Sequence, residues 1–135
     1  LFTRFVPPAE PPGAWQRYYE CWRFALDPAQ AWLWELDRRF AGRPAVAGHR
    51  FAKWNEARDV VPPGATVVMC GVATDCCVLG TAVEAVDDGR HVRLVTDACA
   101  AGTPALHEAA ITVMRDRAPM LTLSDSAREL ARLGG

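Results

Sequence analysis

Residues Gly71-Val72-Ala73-Thr74-Asp75-Cys76-Cys77-Val78 decide how this chain is read. An apolar run, Thr66-Val67-Val68-Met69-Cys70, leads into them, and a helical pattern, Val78-Leu79-Gly80-Thr81-Ala82-Val83-Glu84-Ala85-Val86, leads away. A strand that passes through a tight turn into a helix places a thiol in the helix's first turn. Unpaired backbone N–H groups and the positive end of the dipole favour a thiolate there, and the thiolate is the form that attacks. Cys76 and Cys77 both occupy that turn, and local physics does not choose between them.

Outward from this turn, strands and helices alternate. The pattern predicts a strand over 66–71, a helix over 75–88 with Gly89 as its C-cap, and a strand over 91–96. Thr103-Pro104 opens a further helix that runs to about Arg117. Pro119 precedes a short strand from Met120 to Leu123, and Ser124 or Asp125 caps a last helix. On the N-terminal side, Leu1–Phe5 reads as a strand. Pro7, Pro8, Pro11, Pro12 and Gly13 make 6–14 an extended loop. Trp15, Tyr18, Tyr19 and Trp22 share one face of a short helix. Asp27 and Pro28 then start a helix in which Ala29, Trp32, Leu33, Leu36 and Phe40 keep helical period. Pro44–Ala47 is a weak strand, and 48–65 is irregular except for one helical turn around Trp54–Arg58. This alternation predicts one α/β domain over 1–135, a doubly wound, mostly parallel sheet with helices on both faces. Ligands of such sheets gather beyond the C-terminal strand ends, where Cys77 falls.

Composition narrows the function classes. Fifteen basic against sixteen acidic residues give a net charge of −1, and no basic run is interleaved with aromatics, so nucleic acid is not an expected partner. No apolar stretch approaches the ~20 residues of a membrane span. The five cysteines are an odd set without a CxxC pair, and the three histidines are scattered, so neither a metal site nor a cofactor is expected. Reduced thiols suit a cytoplasmic protein. Cys21, Cys70 and Cys99 read as small buried hydrophobes. A redox role for the adjacent Cys76 and Cys77 is disfavoured by the strain of a disulfide between neighbours.

Lys53 is the only lysine among fifteen basic residues. Beside a thiol its ammonium would lower the thiol pKa, whereas taken by itself it reads as a solvated loop residue.

The segment Gly-Val-Ala-Thr-Asp-Cys-Cys-Val, with Thr81-Ala82, Ala85-x-x-x-Gly89, Val95-Thr96-Asp97-Ala98 and His107, closely resembles the isochorismatase-like cysteine hydrolases. That family includes nicotinamidases, amidohydrolases of other small amides, and isochorismatases. The resemblance runs from Thr3-Arg4-Phe5 to about Leu123. It implies an isochorismatase-like, Rossmann-like fold and makes Cys77, before the Val of the motif, the nucleophile. It also implies a cis peptide between Val72 and Ala73, which turns the N–H groups of Ala73 and Cys77 toward one oxyanion site. His49-Arg50-Phe51-Ala52-Lys53-Trp54 resembles the family's Phe-x-Lys segment, with Lys53 as the second catalytic group. Trp15, Tyr19 and Trp54 are candidate pocket residues, although aromatic stripes more often serve packing.

The family opens with a strand ending in Asp-x-Gln whose aspartate is the general base, and this chain begins where the second strand would be. The expectation is a domain lacking the family's first strand and helix, with β-strand 1–5 either beside strand 66–71 or leaving unpaired edges. Asp75 and Asp27 suit caps, and Asp97, the one substitute base, suits a turn-capping role. The loop at 6–12 has no histidine, which disfavours the family's zinc-dependent branch. The expected function is a cytoplasmic hydrolase of a small-molecule amide, impaired here for want of the aspartate, and a homo-oligomer (dimer or tetramer). The alternative is a non-catalytic interaction or oligomerisation module.

Overall fold

The computed structural model describes residues 1–134 and divides into two compact units, Leu1–Arg50 and Phe51–Gly135. In the first, β1 (Phe2–Phe5) and β2 (Ala45–Gly48) pair in parallel, Phe2 opposite Ala45 and Phe5 opposite Gly48. α1 (Trp15–Cys21) carries the aromatic face, with Trp15 stacked on Tyr19 at 5.8 Å and Phe5 edge-on to Trp34 at 5.6 Å.

The helix expected over 29–40 is absent. In its place stand 3-10 turns over Pro28–Trp34 and Arg38–Phe40. Asp27 does cap the start, accepting from the Ala29 N–H at 2.9 Å. Glu35 and Asp37 are extended, and Asp37 accepts from the Arg39 N–H at 2.9 Å, a local bond that competes with helix continuation. No buried face rewards the helical period either, since Trp32, Leu33 and Phe40 are all exposed.

The second unit holds the expected alternation. α2 (Trp54–Ala57) precedes β3 (Val67–Val72), α3 (Leu79–Asp87), β4 (Val92–Ala100), α4 (Pro104–Arg115), β5 (Leu121–Ser124) and α5 (Ser126–Leu133). The three strands form a parallel sheet in the order β3-β4-β5. Its core is built from Val92, Leu94, Val95 and Leu121 of the sheet with Ala82, Ala85 and Val86 of α3 and Ala110, Ile111 and Met114 of α4. Gly89 (φ 78°) ends α3, its N–H reaching Val86 O while the Arg90 N–H reaches Ala85 O.

β1 pairs with β2 in the first unit, and in the second β3 has a neighbour on one edge only among the described residues. The residues of β3 alternate, and Val68, Cys70 and Val72 are the exposed set. Cys70 and Cys21 are therefore not the buried hydrophobes expected, and Cys99 is half-buried with its thiol 3.3 Å from Val95 O.

Two carboxylates serve the N-terminus of α5. Asp125 accepts from the Arg128 N–H at 2.9 Å and Asp97 from the Ser126 N–H at 2.8 Å. Replacing Asp125 by alanine should therefore cost about 1 kcal/mol. In urea titrations this would lower the midpoint without changing the slope.

Candidate active site

β3 ends at Val72, and the Val72–Ala73 peptide is cis. Thr74–Val78 forms one wide turn of π-helical spacing before α3 takes over at Leu79. The carbonyl of Ala73 accepts from both Cys76 N–H and Val78 N–H, each at 3.1 Å. The helix expected over 75–88 thus begins with a loosened turn, a feature that recurs at functional sites. Thr74 is fully buried. Asp75 does not cap this turn, and one of its carboxylate oxygens is buried without a hydrogen-bond partner.

Lys53 is 2 % exposed, so it is not the solvated lysine that the local reading alone would make it. Its backbone N–H donates to Thr81 Oγ1 at 2.9 Å, and that hydroxyl donates to the Cys77 carbonyl at 2.6 Å. Thr81 therefore bolts the lysine segment to the cysteine turn. The approach is close enough that a Cβ on Gly80 would meet the Ala52 side chain at 3.3 Å. The ammonium itself donates to Phe51 O at 3.0 Å.

The two thiols separate in character. The Cys77 thiol is lowered to about 6, chiefly by the Cys76 thiol acting as donor to its sulfur, then by the Lys53 ammonium and the Ala73 backbone N–H. Burial and the Asp75 carboxylate oppose this. The Cys76 thiol is pushed far up, by its hydrogen bond to Cys77 first and by burial second. Within the pair the thiolate is favoured at Cys77 over Cys76. Cys77 as a residue is half-buried.

The other candidates have packing partners of their own. Trp54 is 2 % exposed and packs as a core residue, its indole N–H on Asp88 Oδ2 at 2.9 Å and the Arg90 guanidinium over its ring. Trp15 and Tyr19 belong to the Leu1–Arg50 unit, where Tyr19 is buried in the aromatic stack. Asp97 is engaged with the Ser126 N–H. His107 is half-buried, and its Nδ1 lies 2.9 Å from Thr74 Oγ1. Sequence reasoning gave no role to Thr81 or to the Thr74–His107 pair; only their places within the motif set them apart. Surface hollows of about 520 Å3 beside Arg115 and Arg117 and about 330 Å3 beside Asp88 and His91 do not include Cys77. Among the described residues no group of three or more His, Cys, Asp or Glu side chains is placed to hold a metal ion, and no helix is long and apolar enough to cross a membrane.

Known proteins resemble this chain to different degrees. Isochorismatase domain-containing protein 2 of Xenopus laevis is 32% identical over 65 residues, which is 48% of this chain and 32% of that protein. The chain thus spans about a third of the length of the curated relatives it matches. An isochorismatase family protein from Desulfovibrio vulgaris is 28% identical with a TM-score of 0.59, over 70% of this chain and 51% of the other. A cysteine hydrolase from Pseudomonas syringae shares the fold at a TM-score of 0.79 and 17% identity, over 98% of this chain and 70% of the other. The family described as isochorismatase domain matches residues 1–126, which takes in both the Lys53 segment and the cysteine turn, and the chain belongs to that family.

Proposed function

We propose that this chain carries the nucleophile of a cysteine hydrolase that cleaves the C–N bond of a small amide in the cytoplasm. The observation that carries this reading is the Cys77 thiol, lowered to about 6 beside a buried lysine and a backbone N–H. At neutral pH Cys77 is already the thiolate. Its sulfur attacks the carbonyl carbon, and the carbonyl π electrons move to oxygen. The Ala73 and Cys77 N–H groups hold that oxyanion, each donor contributing about 3 kcal/mol in comparable enzymes. The Ala73 N–H first holds the thiolate and then follows the charge to the oxyanion. Lys53 keeps the whole anionic sequence favourable. Collapse of the intermediate breaks the C–N bond, and the amine leaves after taking a proton from solvent. Water then cleaves the thioester, giving the carboxylic acid and returning the thiolate.

No group of this segment is assigned to activate that water, because Asp97 is held at the start of α5. Acylation should therefore outrun deacylation. With p-nitrophenyl acetate the expected result is a burst of about one nitrophenolate per chain, slow turnover afterwards, and a single acetyl group on Cys77 by peptide mass spectrometry. Cys77→Ser should abolish the burst. Acetylation spread over several cysteines, or unchanged in Cys77→Ser, would remove the reading.

The exposed Val68 and Val72 of β3 favour a second reading, an interaction module that self-associates as a dimer or tetramer. A defined oligomer by light scattering with no burst would favour it.

A further inference from the structure

The cysteine turn is pinned from two sides, and only one of them is explained by the chemistry above. On the α3 side Thr81 links the Cys77 carbonyl to the Lys53 backbone. On the opposite side the turn packs against α4. There the fully buried Thr74 places its hydroxyl 2.9 Å from His107 Nδ1. His107 sits in the first turn of α4, its N–H on Thr103 O at 3.1 Å, and that turn is held by the Thr103 side chain accepting from Leu106 N–H. The imidazole is thus mounted on a capped helix start.

We propose that His107 is a positioning residue for the nucleophile: through Thr74 it clamps the start of the cysteine turn to α4 and so holds Ala73 against the Cys77 sulfur. The inference rests on the reading of Cys77 as the nucleophile. Its logic is geometric. Thr74 directly follows the residue whose N–H faces the sulfur, so a rotation of Thr74 swings that N–H away. A threonine hydroxyl buried among apolar side chains without a partner would also favour another conformation of the turn, since an unsatisfied buried hydroxyl costs about 1–3 kcal/mol. His107 supplies that partner in either tautomer, accepting the hydroxyl proton at Nδ1 or donating Nδ1–H to the oxygen. A histidine with only a packing role would need no polar contact to the turn at all.

The test is the pH profile of iodoacetamide labelling at Cys77, resolved from Cys76 by peptide mass spectrometry, in the parent chain, His107→Ala, His107→Asn and Thr74→Val. Far-ultraviolet circular dichroism and urea titration report whether each variant is folded. In folded His107→Ala the labelling rate at pH 6 should fall about tenfold, the midpoint moving up by about one pH unit. His107→Asn, which keeps a polar atom near the Nδ1 position, should recover most of the parent profile. Thr74→Val, which removes the hydroxyl at nearly equal volume, should reproduce the alanine result and serves if His107→Ala does not fold. A parent profile retained in a folded His107→Ala or Thr74→Val overturns the inference and leaves the nucleophile reading intact. A parent midpoint near that of an ordinary thiol removes both.

Discussion

Replacing Cys76 by alanine is expected to slow alkylation of Cys77 at pH 6 by on the order of tenfold. The reason is that the Cys76 thiol, as hydrogen-bond donor, is the largest of the influences that hold the Cys77 thiol near 6. A donor to sulfur stabilises the thiolate and not the thiol, so its loss raises the pKa and lowers the thiolate fraction at any pH below the new midpoint. Above about pH 9 both forms are ionised and the two rates should converge. Cys76→Ser separates hydrogen bonding from packing, because a serine hydroxyl still donates. It should fall between the parent and the alanine variant. If Cys76→Ala keeps the parent midpoint, the donor role of Cys76 is wrong and Lys53 and Ala73 must supply the effect between them.

Lys53→Met gives the second large effect, with a signature of its own. Removing the ammonium takes away the next favourable influence on the thiolate, so the Cys77 midpoint should rise and labelling at pH 6 should slow several-fold, roughly three- to tenfold. Stability should not fall in step. An ammonium that is 2 % exposed carries a large desolvation cost, and an apolar side chain of similar length removes that cost. The backbone link from Lys53 N–H to Thr81 survives the substitution, because it does not involve the side chain. The expected outcome is a urea midpoint held or raised together with a less reactive Cys77. A lysine retained for structure alone would give the reverse, a lower urea midpoint and an unmoved thiol profile.

The contrast between the two halves shows what a sequence pattern can carry. From Thr66 onward the alternation of apolar runs, Gly89, Thr103-Pro104 and Asp125 corresponds to β3, α3, β4, α4, β5 and α5 in order. Each of those signals acts between residues near in sequence: a cap accepts from a backbone two or three residues on, and a period of 3.6 lays one face on the sheet. In 29–40 the same reasoning failed. The period is present there, but Trp32, Leu33 and Phe40 stay exposed, and Asp37 offers its own local bond. Periodicity becomes a helix only where a neighbouring layer buries the face it defines.

By itself the sequence determined the parallel α/β alternation of the second unit, the cysteine-bearing turn at the end of β3, and the family to which both belong. Tertiary structure decided that the Cys77 thiol is lowered while the Cys76 thiol is raised, that Lys53 is buried and its backbone tied to Thr81, and that Trp54 lies in the core. Those outcomes depend on electrostatics and packing between segments remote in the chain, such as Lys53 with Thr81 and Trp54 with Asp88. A burial cost or a hydrogen bond exists only once such segments have been brought together and water has been excluded from between them.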